Sequence, residues 1–271
     1  MAIFKNASYF ISAHHLSDLP PPIGIEIAFA GRSNAGKSSA INTLANHNRL
    51  AFVSKQPGRT QLINFFSLGD NRFLVDLPGY GYAKVPQAVK DHWQKTLATY
   101  LSERSCLFGL VLVMDIRHPL TPLDQQMLEW FSLNKKPIHI LLTKADKLSR
   151  EASHKTLHAV QKEINEKWGS TLGIECTVQL FSSLKKQGAD EAETIIGKWL
   201  NTPICGSCAT RCTPTSRSRP VSAHRSTVRN CVTARSASSP SASPTRCRAS
   251  GPGGSPPRPT WRPTSPRSPR R

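Results

Sequence analysis

The eight residues Gly31-Arg32-Ser33-Asn34-Ala35-Gly36-Lys37-Ser38 constrain this chain more than any other stretch. They read G-x-x-x-x-G-K-S, a pattern that needs a strand before it and a helix after it. Both are legible. Ile25-Glu26-Ile27-Ala28-Phe29-Ala30 has the apolar run of a buried strand, and Ser39-Ala40-Ile41-Asn42-Thr43-Leu44 continues as a helix. Small residues let the backbone wrap a phosphate with its N–H groups turned inward, and the helix N-terminus adds partial positive charge. Lys37 brings a full charge to the outer phosphates, and the Ser38 hydroxyl suits Mg²⁺. The motif implies that a nucleoside triphosphate binds here.

The pattern downstream fits such a fold. Strand-like runs fall at Leu62–Phe66, Arg72–Asp76, Leu107–Met114, Pro137–Leu142 and 174–181. Helical periodicity covers Gln87–Arg104, 121–133, 149–168 and 187–200. Gly69-Asp70-Asn71 reads as the turn of a hairpin. Alternating strands and helices predict an α/β domain of three layers, with a mostly parallel sheet, one antiparallel strand and helices on both faces. Binding residues belong at the carboxyl ends of its strands. The expected organisation is a lead-in over 1–24, the nucleotide-binding domain over 25–202 and a tail over 203–271.

Charge divides the chain at the same boundary. Residues 1–202 carry 23 Lys+Arg against 17 Asp+Glu, a net of +6, and residues 203–271 carry 13 Arg and no acid, a net of +13. The tail holds no Leu, Met, Phe or Tyr, so it lacks the apolar surface to fold and is expected to be disordered. Three readings of it are open. It is a nucleic-acid-binding arginine arm, a weak metal site built on Cys205, Cys208 and Cys212 with Cys231 or His224, or a product of out-of-frame translation. Its abrupt onset and its residues of GC-rich codons favour the last. Cys106 and Cys176, in apolar runs of the front part, read as buried free thiols of a reducing compartment. Nothing resembles a secretion signal or a membrane span, so a cytoplasmic protein without membrane insertion is expected.

Four further elements narrow the nucleotide. Thr60, in Pro57-Gly58-Arg59-Thr60-Gln61, lies in a polar stretch from which its hydroxyl can reach Mg²⁺ and the γ-phosphate. Asp76-Leu77-Pro78-Gly79 closes a strand. Asp76 would hold Mg²⁺ through its water shell, and Gly79 can offer a backbone N–H to the γ-phosphate. Thr143-Lys144-Ala145-Asp146 fits [NT]-K-x-D. The Asp146 carboxylate can accept from guanine N1–H and N2–H₂, where adenine offers no match, and Lys144 would lay its stem along the base. Phe181-Ser182-Ser183 follows the last strand, and the Ser183 N–H is placed to meet guanine O6.

With these motifs assembled, residues 1–202 resemble the EngB family of small bacterial GTPases, of the translation-factor class. The likeness rests on Gly31 to Ser39, Pro57 to Gln61, Asp76-Leu77-Pro78-Gly79-Tyr80-Gly81-Tyr82-Ala83, Thr143 to Asp146 and Phe181 to Ser183; the tail does not match. The resemblance implies GTP/GDP and Mg²⁺ binding, GTP hydrolysis, assembly of the large ribosomal subunit through its rRNA or proteins, and a requirement in septation. A monomer is expected. A division-machinery protein with incidental hydrolysis is the alternative, and a P-loop kinase is disfavoured by Asp146.

Hydrolysis poses its own question. Ras-like GTPases place a water-orienting Gln directly after the glycine of the D-x-x-G motif, and here that position is Tyr80. Unaided hydrolysis should therefore be slow. Asn34, Lys37 and Thr60 are the expected catalytic residues, and Asn34 can help hold a K⁺ that does the work of an arginine finger. Arg32 and Arg59 are alternative charge suppliers. Tyr80 and Tyr82 are candidates for partner contacts or for local packing. Lys135-Lys136 and Lys185-Lys186 read as solvated faces that could touch RNA, and His154 and His158 as an exposed helix face rather than a metal pair.

Overall fold

The computed structural model describes residues 3–51, 62–81, 87–169 and 175–202, with the side chains of 87–94 and of 169 left out. Gly58, Arg59, Thr60, Tyr82 and the tail lie outside the described residues. Seven strands form one sheet: β1 Ser8–Ala13, β2 Ile25–Gly31, β3 Ile63–Ser67, β4 Arg72–Asp76, β5 Leu107–Asp115, β6 Ile138–Thr143 and β7 Cys176–Leu180. The helices are α1 Lys37–Leu44, α2 Gln87–Glu103, α3 Pro122–Ser132, α4 Arg150–Ile164 and α5 Ala189–Leu200. The order across the sheet is β1-β3-β4-β2-β5-β6-β7. Pairing is parallel from β4 through β7, and β3 runs antiparallel to both β1 and β4. The α/β architecture with one antiparallel strand is the one expected.

Side-chain alternation along the strands explains the three layers. In β2, Ala28 and Ala30 face a core completed by Tyr100 and Leu101 of α2, Leu128 and Phe131 of α3, and Val160 and Ile164 of α4. Ile25, Ile27 and Phe29 face the opposite core, with Ile41 of α1 and Ile196 and Trp199 of α5. A central strand covered on both sides favours apolar residues at nearly every position, and this produces the apolar run before the phosphate motif. Each fully buried Ile or Phe contributes about 1.5–3 kcal/mol relative to exposure.

Glu26 is the exception in that run. It is fully buried in β2. Its Oε2 accepts from the Tyr100 hydroxyl at 2.9 Å, and the Arg104 guanidinium meets its Oε1 at 2.5 Å (Nη2) and 3.0 Å (Nε). Arg104 also donates to the Pro20 carbonyl at 2.9 Å, so one cation ties β2, the end of α2 and the lead-in together. Burial, with Glu26 alongside, pushes the Tyr100 and Cys106 pKa values up, so both stay protonated. Removing Arg104 strands a buried carboxylate. Arg104→Met is expected to lose about 3–5 kcal/mol of stability, read from urea unfolding, and Arg104→Met with Glu26→Leu is expected to regain most of it.

The lead-in differs from expectation in one respect. Residues 8–13 form an edge strand, β1, paired to β3 from Ser8↔Ser67 to Ala13↔Ile63. Its Tyr9 and Phe10 are exposed, which is why no alternation marks it in the sequence. Cys106 and Cys176 are free thiols and half-buried, and burial pushes Cys176 up to about 12. No described helix is long and apolar enough to cross a membrane.

Candidate functional site

The chain leaves β2 for β4 on one side and later returns to β5 on the other. That reversal opens a crevice at the carboxyl end of β2, where ligands of open α/β sheets bind. The phosphate motif fills it. Gly31 ends β2 and Lys37 begins α1, with Arg32 to Gly36 as the connecting loop. Asn34 (φ 62°) and Gly36 (φ 101°) both take left-handed conformations. At Gly36 an added Cβ would sit 3.5 Å from the Thr143 side chain, an ordinary contact, so glycine is required there by the backbone angle. The Ala35 N–H closes the loop on the Arg32 carbonyl at 3.0 Å.

Lys37 is buried, and its ammonium is paired with the carboxylate of Asp76 at the end of β4. Asp76 itself is 1% exposed. A lysine and an aspartate 39 residues apart are thus brought together at the phosphate end of the crevice. Ser38 and Ser39 follow in the first turn of α1, half-buried. Of the Asp76-Leu77-Pro78-Gly79 run, Leu77 is a core residue with no exposure, so its part in any site is through its backbone, whose N–H bonds the Phe29 carbonyl at 3.0 Å. Gly79 is half-buried beside it.

Of the two readings open for Tyr80, the structure favours local packing: the side chain is buried. Its hydroxyl donates to Asp124 Oδ1 at 2.7 Å, its carbonyl accepts from the Ser33 N–H at 2.9 Å, and its own N–H reaches the Gly31 carbonyl at 3.3 Å. Burial and the facing Asp124 carboxylate raise its pKa well above the usual phenol value. Asp124 also closes the capping box of α3, whose cap is Thr121: its Oδ2 accepts from Thr121 N–H at 3.0 Å and Thr121 Oγ1 at 2.6 Å. The phenol is therefore committed to α3.

The second half of the crevice lies between β5, β6 and β7. The Thr143 hydroxyl contacts the carbonyls of Ala35 and of Met114, the latter at 3.0 Å, so it clamps the phosphate loop to the sheet. Lys144 donates to the Asn34 carbonyl at 2.7 Å and to Asp115 Oδ2 at 2.9 Å. Burial opposes ionisation of Asp115, but hydrogen bonds from Arg117 and Lys144 outweigh it and hold its pKa well below the usual carboxylate range. Asp146 Oδ1 accepts from the Ser182 hydroxyl at 2.6 Å, and Lys147 stands 3.4 Å from its Oδ2. The Ser182 bond, then Lys147, lowers the Asp146 pKa and keeps the group ionised at neutral pH. Phe181 is buried, its carbonyl accepting from Ala145 N–H at 3.1 Å and its N–H reaching Leu142 O at 2.9 Å. Ser183 follows, half-buried, in the turn that ends at Gln187.

The structure thus gathers Lys37, Asp76, Lys144, Asp146 and Ser182 along one edge of the sheet. Sequence reasoning missed Asp115 and Asp124. Asp115 ends β5, so the carboxyl-end rule alone would have flagged it. Asp124 carried a local signal as well, since Thr121-Pro122-Leu123-Asp124 is a helix-start pattern with an acid at its third position. Of the surface lysines, Lys136 donates to the Arg104 carbonyl at 3.2 Å and Lys186 to Asn46 at 3.2 Å. His154 and His158 are both exposed on α4.

The family described as "50S ribosome-binding GTPase" matches residues 26–144. "Probable GTP-binding protein EngB" of Methylobacillus flagellatus is 73% identical over 203 residues, covering 75% of this chain and 96% of that protein. The protein of the same name from Aromatoleum aromaticum is 60% identical over 203 residues, covering 75% of this chain and 92% of its own. Among solved structures, one titled "Crystal structure of a probable GTP-binding protein engB" overlays with a TM-score of 0.53 at 19% identity, covering 66% of this chain and all of that one, a likeness of fold.

Proposed function

The chain belongs to the EngB family of GTP-binding proteins, and on that premise we propose that it is a GTP-hydrolysing switch in assembly of the large ribosomal subunit, required for normal septation. One observation carries the nucleotide part. A cation–carboxylate pair at the P-loop (Lys37 and Asp76) and an ionised carboxylate at the end of β6 (Asp146) share one sheet edge. The first suits polyphosphate and a hard cation, and the second suits a base with two adjacent N–H donors. The ribosomal part is supported by the description of the matching family, over residues 26–144. Depletion of the protein in growing cells, followed by sucrose-gradient profiles, tests it. Loss of mature large subunits with accumulation of a lighter precursor is expected, and an unchanged profile alongside failed division would favour a direct septal role.

Mg²⁺ fits the donors present. The Ser38 hydroxyl and the Asp76 carboxylate are hard oxygen groups, and Mg²⁺ bound with nucleotides takes one or two protein oxygens and fills the rest with phosphate and water. It would supply charge neutralisation on the β- and γ-phosphate oxygens. Lys37 would bind the same phosphates at the N-terminus of α1, with the N–H groups of Asn34 and Gly36 beside it, those of Ser33 and Ala35 being held by Tyr80 and Arg32. Thr60 would complete the Mg²⁺ set.

Hydrolysis without help should be slow, because the Tyr80 hydroxyl is held by Asp124 and no Gln stands in its place. Asn34 is exposed in the loop, with its carbonyl on Lys144 and its side chain available to a monovalent cation. GTP turnover in KCl is expected to exceed that in NaCl at equal ionic strength by about tenfold or more, a barrier change near 1.4 kcal/mol. Asn34→Ala should remove the difference. Equal rates in both salts would remove Asn34 from the catalytic account.

A further inference from the structure

We propose that Gln179 is a positioning residue for guanine specificity, holding through Gly188 and the 182–187 turn the serine that orients Asp146. The proposal rests on the assignment of Asp146 to the base. Gln179 is a polar residue near the carboxyl end of β7, 2% exposed, where an apolar side chain would bury equally well. Both ends of its amide are used. Nε2 donates to the Gly188 carbonyl at 2.7 Å, with Leu180 O at 3.3 Å, and Oε1 faces His139 Nε2 at 2.9 Å.

The direction of these bonds can be worked out. Since the amide nitrogen points at a carbonyl, its oxygen must accept, so His139 carries its proton on Nε2. The bare Nδ1 then accepts from the Thr177 hydroxyl at 2.7 Å. Burial lowers the His139 pKa to about 4, which keeps the imidazole neutral, and the bonds to Gln179 and Thr177 hold this tautomer. Thr177, His139 and Gln179 thus form a fixed row across β6 and β7 that ends on Gly188.

Gly188 is the hinge of the base-side turn. It precedes α5 in a left-handed conformation (φ 73°), and an added Cβ would lie 2.2 Å from the Leu180 carbonyl and 2.6 Å from Gln179 Nε2. One residue earlier, the Gln187 carbonyl accepts from the Ser182 N–H at 3.0 Å and closes the turn. The Ser182 hydroxyl, itself receiving the Lys185 N–H at 3.2 Å, donates to Asp146 at 2.6 Å. The links are hydrogen bonds joined through the Gly188–Gln187 peptide; Gln179 and Ser182 are buried, Asp146 and Gly188 half-buried, and Lys185 and Gln187 exposed. A networked core amide of this kind specifies geometry more than it adds stability.

The test compares GDP with inosine diphosphate, whose base lacks the N2 amine. Wild-type protein is expected to bind GDP about 10- to 150-fold more tightly, the worth of one hydrogen bond to a charged acceptor. Gln179→Met keeps the side-chain volume and removes the bonds to Gly188, Leu180 and His139. Its GDP-to-IDP ratio is expected to fall about fivefold or more, since hydrogen bonds weaken steeply as their angle closes. Should that variant not fold, Gln179→Glu, which accepts from His139 but has no N–H for Gly188, reads the same ratio. A purely structural role lowers the melting temperature, or both affinities in parallel, and leaves the ratio at its wild-type value; that result overturns the proposal. Equal binding of GDP and IDP by the wild-type protein would overturn the base assignment of Asp146 itself.

Discussion

Asp146→Asn protein is expected to bind GDP about 10²–10⁴-fold more weakly than wild type, the loss of two hydrogen bonds to a charged acceptor at about 1.5–3 kcal/mol each. The same change should strengthen binding of xanthosine diphosphate. Xanthine keeps N1–H and replaces the N2 amine with a carbonyl, so an asparagine amide can accept from the first and donate to the second. The Ser182 hydroxyl, 2.6 Å from Asp146 Oδ1, can bond an amide oxygen as well, so the group should stay oriented. Calorimetric titration with GDP, XDP and ADP reads all three affinities. An unchanged GDP affinity, or ADP bound as tightly as GDP by the wild type, would place the base elsewhere.

The second large effect concerns the buried pair at the phosphates. Lys37→Ala should cost GTP binding about 10²–10³-fold or more, because truncating a buried charge partner costs roughly 2–5 kcal/mol. It should also lower stability, since Asp76, 1% exposed, is left without its cation. The two losses separate in the double variant Lys37→Met with Asp76→Asn. Replacing both members of a buried pair is often neutral, so stability should largely return while GTP binding stays lost. Recovery of GTP binding in the double variant would show that Lys37 acts only as a partner for Asp76.

Much of this site was legible because it is built from short motifs at strand ends. Gly31 to Ser38, Asp76 and Asp146 each follow an apolar run, and one rule of α/β sheets places all such ends on one edge. What escaped the sequence depends on side-chain direction. Tyr80 sits after a glycine loop, where nothing local says whether the ring turns outward or into the core; Asp124, 44 residues on, decides it. Glu26 reads as a flaw in a buried strand until Arg104 and Tyr100 arrive from the end of α2. Thr143 belongs to the base-recognition pattern, yet its hydroxyl clamps the phosphate loop through Ala35, 108 residues away. Edge strand β1 lacked a signal because its Tyr9 and Phe10 are exposed.

Tyr80 also changes where catalysis should be sought. With the phenol locked to the start of α3, we propose that catalytic charge is supplied from the phosphate loop, by Lys37 and by a cation held at Asn34. The loop that binds the phosphates is then also the loop that would hold the catalytic ion, which is why the potassium comparison matters for mechanism.

The most direct test of the central claim is co-sedimentation of the purified protein with large-subunit precursors from depleted cells. The protein should travel with the precursor when loaded with a non-hydrolysable GTP analogue and remain at the top of the gradient with GDP. Equal distribution with either nucleotide, or no association with the precursor in any state, would contradict a GTP-gated role in assembly of the large ribosomal subunit.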